Sequence, residues 1–166
     1  MLLIIIGGIG FFTWEDIYLH KFHFKHYHMQ SKVILTTTLC LILLPAVFFF
    51  FQDYGNLSGI HRLLASLFQA VTPRTAGFNT TDLSMLTGAS KAMMILLMLI
   101  GGSPSSTAGG MKTTTFALLL LNVLATFQSC DDVTAFGRRI DASVIKNATT
   151  IAMMYFILFF AGGMTI

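Results

Sequence analysis

Charged residues are scarce in this chain of 166 residues, of which only 10% are Asp, Glu, Lys or Arg. An ordinary soluble domain carries roughly 25% charged residues. Hydrophobic residues make up 55% of the chain, so a soluble fold could not cover its surface with polar groups. The composition therefore excludes an ordinary soluble domain and favours a protein embedded in a membrane.

Cysteine is scarce as well, with only two in the chain. Cys40 lies in an apolar run and Cys130 in a polar segment, so the two would not share an oxidising compartment and no disulfide is predicted. The charged segment that opens a secretory signal is also lacking, because the first residues are apolar. Residues 1–14 are therefore predicted to be the end of a preceding transmembrane helix.

Long apolar runs stand in place of charge. Residues 33–51 and 148–166 contain no charged side chain, and about 20 helical residues cross the hydrocarbon core of a bilayer. A third run, residues 92–126, is long but interrupted. The sequence therefore predicts an all-α integral membrane protein, with spanning helices over residues 33–52 and 146–166.

The cations cluster before these two helices, which indicates their orientation. Cytoplasmic connectors of membrane proteins carry an excess of Lys and Arg. The segments 15–32 and 127–145 are therefore predicted to be cytoplasmic connectors. The cations on which this depends are Lys21, Lys25, Lys32, Arg138, Arg139 and Lys146.

A short apolar segment, residues 60–71, follows the first spanning helix. Twelve helical residues extend only about 18 Å and reach about halfway through a core of about 30 Å. The loop 72–80 follows, and its Pro73 restricts Thr72 to extended backbone. Non-helical backbone at that depth is tolerated only against protein or a wet cavity. We therefore predict a pore half-helix followed by a re-entrant loop.

The next helix, predicted over residues 89–126, is broken by a glycine-rich segment, residues 101–110. A flexible external linker would contradict the predicted topology. A phosphate-binding loop requires Gly directly before Lys, whereas Met111 separates Gly110 from Lys112. The residues of the glycine-rich segment are Gly101, Gly102, Ser103, Pro104, Ser105, Ser106, Thr107, Ala108, Gly109 and Gly110.

The loop 72–80 has the composition of an ion-selective filter. Main-chain carbonyls can replace the hydration shell of a monovalent cation, and Gly77 accepts the unusual dihedral angles that aligning carbonyls requires. The predicted filter is Thr75, Ala76, Gly77 and Phe78, supported by Arg74 and Asn79. We expect Arg74 to brace filter carbonyls or an acid from another repeat, in preference to lying on the conduction path. The alternative for Gly77 is an ordinary turn glycine in an external loop.

Three stretches resemble the membrane subunits of the Trk/Ktr/HKT potassium transporters, most closely the bacterial Ktr type. Residues 72–80, TPRTAGFNT, resemble the third filter loop of that family. Residues 101–115 resemble the broken second helix of the same repeat, and residues 7–12, GGIGFF, resemble the end of the second repeat. Their order and spacing agree with the family over essentially the whole chain.

The resemblance implies an incomplete set of helix–pore loop–helix repeats, like those of potassium channels, with residues 33–126 forming the third repeat. It implies that the glycine-rich segment and Lys112 form an intramembrane gate. It further implies potassium transport across the plasma membrane by a multi-pass protein, with sodium dependence left open. The expected partners are the remaining repeats, a second copy of the subunit, and a cytosolic ring that binds nucleotide. No covalent cofactor, other metal or nucleic acid is expected.

Other functions stay open at this point. The chain alone could be a membrane fragment or scaffold without transport, or a membrane-embedded enzyme that uses Asp53, Asp82 and histidines. The histidines before residue 33 favour an interfacial connector over a metal site; they are His20, His23, His26 and His28. Lys112 either faces a cavity or a partner, or extends towards the cytoplasmic interface.

Overall fold

The computed structural model describes residues 1–21, 24–55, 59–74, 76–79, 82–83, 86–129 and 132–164. This part of the chain is almost entirely helical. Its helices are α1 Leu2–Ile9, α2 Phe11–His20, a short 3-10 helix Phe24–His26, α3 Met29–Gln52, α4 Gly59–Val71, α5 Gly88–Leu99, α6 Thr113–Phe127 and α7 Ala142–Met164.

Two described helices, α3 and α7, are long and apolar enough to cross a membrane. The pair α1 and α2 passes the same test together but bends by 92°, so the described residues contain up to three spans if this pair is counted as one. The helices α5 and α6 are apolar but shorter. The helix α3 begins four residues before the predicted position 33, at Met29.

The bend between α1 and α2 differs from the single helix end predicted for residues 1–14. It occurs at Gly10, whose φ is 88°. A Cβ atom at Gly10 would lie 2.4 Å from the carbonyl oxygen of Pro104, so glycine is needed both for the dihedral angle and for the close approach. The helix α2 also continues to His20, within the predicted connector 15–32. Asp16 on this helix accepts hydrogen bonds from His28 and Ser31 at the start of α3.

The half-helix α4 packs back against the second half of α3. Arg62 donates from Nε and Nη2 to the carbonyl oxygen of Phe50, at 2.9 and 2.7 Å. Its guanidinium carbon also lies 4.0 Å from the centre of the Phe50 ring, a cation–π contact. Between the same two helices, Phe49 of α3 and Ala70 of α4 are fully buried in one apolar cluster. These contacts hold α4 beside α3.

The start of α5 is fixed to the end of α3 by a carboxylate. Asp53 accepts hydrogen bonds from the backbone N–H of Thr87, at 3.1 Å, and from the hydroxyl of Ser90. Thr87 is the N-cap of α5 and its side chain accepts the N–H of Ser90, as is usual for Thr at this position. The carboxylate thereby joins α3 and α5 at the same end of the structure.

One element departs from the all-α prediction. The connector between α6 and α7 contains a short antiparallel hairpin, β1 Thr134–Ala135 and β2 Arg138–Arg139. Its turn consists of Phe136 and Gly137, both with positive φ, at 51° and 77°. Two successive residues with positive φ are typical of the tight turns that join neighbouring strands.

Candidate functional site

Three separate stretches of the chain meet around one cavity of about 250 Å³. They are α1, from Leu3 to Gly8, the loop 72–80 and the glycine-rich segment, and α3 contributes Thr38. The residues that line the cavity include Gly7, Gly8, Arg74, Ala76, Phe78, Gly102 and Thr107. Each of these stretches overlaps one of the three that carry the family resemblance in the sequence, and we take this cavity as the candidate functional site.

The loop 72–80 is closed by Thr72. The carbonyl oxygen of Thr72 accepts hydrogen bonds from the N–H groups of Ala76 and Gly77, at 3.2 and 3.1 Å. Its hydroxyl donates to the carbonyl oxygen of Phe78. The sequence interpretation assigned no role to this threonine. The only available signal was its position at the end of α4, where a hydroxyl can bond to nearby backbone groups.

Gly77 has a φ of 71°, and nothing lies within 4 Å of the position that a Cβ atom would occupy. Glycine is required here by the backbone conformation, since a left-handed dihedral is unfavourable for other residues. Ala76 is half-buried, and Phe78 and Asn79 are exposed. Of the predicted filter, Thr75 lies outside the described residues.

Arg74 is buried, with 9% of its surface exposed. Its Nη2 donates to the carbonyl oxygen of Gly101, at 3.2 Å. The carbonyl that Arg74 contacts therefore belongs to the glycine-rich segment, whereas the sequence interpretation expected filter carbonyls or an acid. The Arg74 side chain forms no ion pair with a carboxylate in the part of the chain that the structure describes.

The two ends of the glycine-rich segment lie side by side and form a narrow neck. One side of the neck is Gly101 and Gly102, and the other is residues 108–113. Gly101 donates its N–H to Met111, at 2.9 Å, and Thr113 donates to Gly102, at 3.0 Å. A Cβ atom on Gly101 would lie 1.6 Å from the carbonyl oxygen of Gly109, and one on Gly102 would lie 2.6 Å from the Cβ of Ala108. Both glycines are needed because the two sides of the neck touch.

The far end of this segment is bound to the bend between α1 and α2. The N–H and hydroxyl of Ser103 both donate to the carbonyl oxygen of Gly8, at 3.0 and 2.6 Å. Phe11 donates its N–H to the carbonyl oxygen of Ser105, at 3.2 Å. Within residues 104–110, exposed and half-buried side chains alternate. Ser105, Thr107 and Gly109 are exposed, and Pro104, Ser106, Ala108 and Gly110 are half-buried.

Lys112 folds back onto this segment. Its Nζ donates to the carbonyl oxygen of Ala108, at 2.8 Å. On the other side, the hydroxyl of Tyr155 in α7 donates to Gly110, at 3.2 Å. The lysine therefore has a partner within the segment, one of the two alternatives that the sequence left open.

Two other features of the described residues are less suited to cation chemistry. A larger groove of about 820 Å³ is lined by α3, α5 and α6 with mostly apolar side chains, among them Leu41, Leu97, Ile100 and Leu120, and offers few oxygen ligands. The described residues contain no group of three or more His, Cys, Asp or Glu side chains arranged to hold a metal ion. His23 lies outside the described residues.

The long apolar helices α3 and α7 define a helical membrane protein. A family model for cation transport proteins, the TrkH family, matches residues 1–166. The chain belongs to this family, whose members are transporters and not enzymes.

The relatives include potassium uptake proteins. The chain is 36% identical to Ktr system potassium uptake protein B of Bacillus subtilis over 166 aligned residues, which cover 96% of this chain and 37% of that protein. It is 37% identical to potassium/sodium uptake protein NtpJ of Enterococcus hirae, with 90% of this chain and 34% of that protein covered. The chain therefore spans about a third of the length of these relatives.

Proposed function

We propose that this chain forms one filter segment and the gate of a Trk/Ktr-type transporter that takes up potassium across the plasma membrane. The observation that carries the proposal is the convergence of the loop 72–80 and the glycine-rich segment on one cavity. The two segments that we propose as filter and gate are thus adjacent. Family membership and the potassium-uptake relatives support the same function.

The proposed topology is one complete helix–pore loop–helix repeat over residues 33–126. In it, α3 crosses outward, α4 is the pore half-helix, and α5 and α6 together form a broken inward span. The length of α4, 13 residues, supports this assignment because such a helix extends only about 20 Å. The connectors before α3 and before α7 would be cytoplasmic, α7 would begin the next repeat, and the whole protein would be multi-pass.

The proposed filter uses main-chain carbonyls from Thr75 to Phe78. The positive φ of Gly77 and the open space beside it support this role, because carbonyls facing a path need an unobstructed side. The C-terminal end of α4 carries partial negative charge towards the loop, which favours cations over anions. Sodium dependence is a further proposal, and the name of the Enterococcus relative includes sodium.

The proposed gate is the glycine-rich segment. It is held at its neck, at Gly8 and by Lys112, and its exposed Ser105 and Thr107 suit a polar barrier facing water. The resemblance to the family further supports a homodimer on a cytosolic nucleotide-binding ring as the regulatory partner. Any nucleotide would act through that ring.

The experiment that tests this function is rubidium uptake in potassium-starved cells that lack their own uptake systems. The full-length transporter that contains this segment is compared with its Gly77→Arg variant. The matched control is Gly137→Arg, because Gly137 also has positive φ and open space around it but lies in the connector hairpin. We expect Gly77→Arg to abolish uptake and Gly137→Arg to retain most of it.

Uptake that survives Gly77→Arg at normal protein levels would show that the loop 72–80 is not the filter. Expression of the 166-residue chain alone separates the remaining alternative. We expect no uptake from it, because a complete pore needs filter segments from the other repeats.

A further inference from the structure

Arg74 is a buried cation whose side chain takes no part in the hydrogen bonds that close the described residues of the loop 72–80. Thr72 closes that loop through its carbonyl oxygen and its hydroxyl. The guanidinium of Arg74 instead extends to the glycine-rich segment and donates to Gly101. Burying a guanidinium costs free energy of hydration, which only hydrogen bonds or ion pairs can offset.

The carbonyl that Arg74 contacts belongs to a rigid point. Gly101 is bonded through its N–H to Met111, whose own N–H donates to Leu99, at 3.1 Å. The Gly109 backbone closes against the other side of Gly101, where not even a methyl group would fit. A hydrogen bond to this carbonyl therefore positions the whole neck, whereas a bond to the exposed part of the segment would position only that part.

Arginine suits this contact better than lysine. Its planar guanidinium is weakly hydrated, always charged and carries donors in a fixed geometry. The side chain lines the same cavity as Ala76, Phe78 and Gly102, so it lies between the two functional parts. Its Nε has no hydrogen-bond partner among the described residues, which leaves the bond to Gly101 as its identified anchor in this part of the chain.

We propose that Arg74 is a positioning residue that locks the neck of the gate to the filter loop. The lock keeps the filter carbonyls in register with the path below them, and it confines the opening motion to residues 103–107, beyond the neck. This inference rests on the proposed function. It adds a specific physical connection between filter and gate and predicts that one side chain influences both.

Arg62 provides a matched control at the other end of α4. It too donates to a backbone carbonyl, that of Phe50, but its contacts join α4 to α3 far along the chain from the loop. If arginine–carbonyl bonds act here only by holding helices together, the two arginines should behave alike. If Arg74 positions the filter against the gate, only its replacement should change ion discrimination.

The test measures rubidium uptake by the full-length transporter against rubidium concentration, with and without competing sodium, for Arg74→Gln, Arg74→Lys and Arg62→Gln. For Arg74→Gln we expect the half-saturating rubidium concentration to rise about tenfold, which corresponds to about 1.4 kcal/mol, because the charged donor to Gly101 is lost. Sodium should also compete more effectively. Arg74→Lys should show a smaller shift in the same direction, and Arg62→Gln should change protein yield but neither ion parameter.

The inference is overturned if folded Arg74→Gln has the wild-type half-saturation and sodium competition, or if Arg62→Gln shifts them equally. If Arg74→Gln does not fold, Arg74→Lys decides. A folded lysine variant with shifted ion parameters supports positioning, whereas wild-type parameters, or a lysine variant that also fails to fold, would assign Arg74 to folding alone. Loss of uptake in Gly77→Arg beside an unchanged Arg74→Gln would reject only this inference. Uptake retained in Gly77→Arg would reject the proposed function itself.

Discussion

The loop 72–80 and the glycine-rich segment both interrupt helices, and both contain glycine, but for different physical reasons. At Gly77 the backbone is left-handed, and the position of a Cβ atom is open. At Gly101 the position of a Cβ atom is filled by the backbone of Gly109, 1.6 Å away. Gly77 is thus required by its conformation, and Gly101 by the contact between two parts of the chain.

This difference corresponds to two kinds of loop. A loop that turns an open face to a cavity can present carbonyl oxygens to an ion, as the proposed filter does. A segment whose glycines let its two sides touch closes on itself and fills space, as a barrier must. Glycine content alone therefore does not distinguish a filter from a gate, whereas the surroundings of each glycine do.

The largest effect is expected from Gly101→Ala. The added methyl group would overlap the backbone of Gly109, and Gly101 is itself held beside Gly109 by its N–H bond to Met111. Overpacking usually costs about 1–3 kcal/mol, and we expect a value at or above the upper end. The measurement is the thermal unfolding midpoint and the monodisperse yield of the purified full-length transporter.

The matched control is Gly109→Ala in the same segment, because nothing lies within 4 Å of a Cβ atom at Gly109. We expect it to unfold close to the wild-type temperature. Equal stability of the two alanine variants would mean that the neck is not closed as described, and the contrast with Gly77 would be lost.

A smaller, local effect is expected from Gly77→Ala. A left-handed alanine costs about 1–2 kcal/mol, but the methyl group meets no neighbour. The loop should therefore occupy its filter conformation less often while the rest of the protein stays folded. We expect rubidium uptake to fall about 5- to 30-fold, with an unfolding temperature near that of the wild type.

Gly137→Ala controls for backbone strain, since Gly137 has a φ of 77° and is equally open. Its replacement should cost similar strain and leave uptake unchanged. If both variants reduced uptake alike, backbone strain anywhere in the chain would explain the result. A specific role of Gly77 in the filter would then be rejected.

The sequence predicted the features that depend on local chemistry. Uncharged apolar runs indicated α3 and α7, and the short run before Pro73 indicated α4 and the loop after it. The interruption of the helix at Gly101 likewise followed from Gly and Pro, which are unfavourable inside helices. Predicted boundaries differ from the observed ones by a few residues, as is usual where helix ends fray.

Features that depend on distant partners were not predicted. The bend at Gly10 requires the approach of Pro104, and nothing around residue 10 indicates that contact. The bond from Arg74 to Gly101 joins residues 27 positions apart, whereas the sequence interpretation assigned the arginine to filter carbonyls or to an acid from another repeat. The hairpin at Phe136 and Gly137 lacks the Asn-Gly or Asp-Gly pair that usually marks such a turn.

The smallest effect is expected from Lys112→Met, which tests whether the glycine-rich segment needs a lysine to stay closed. The hydrogen bond from Nζ to Ala108 is half-buried, and a bond of this kind contributes on the order of 1 kcal/mol. Its loss should increase the opening of the segment about fivefold, without changing the unfolding temperature. The measurement is the rate of thiol labelling of Ser106→Cys in a background without other cysteines, because Ser106 is half-buried in the closed segment.

Lys146→Met is the control for this variant, since Lys146 is an exposed lysine near the start of α7. It should leave the labelling rate at residue 106 unchanged. Faster labelling for Lys112→Met alone would mean that both packed glycines and the hydrogen bond from the Lys112 ammonium group keep the segment closed. The loop 72–80, by contrast, is closed by the neutral hydroxyl of Thr72. Equal labelling in both variants would mean that Lys112 extends to the interface in the membrane, and that the close packing at Gly101 and Gly102 keeps the segment closed by itself.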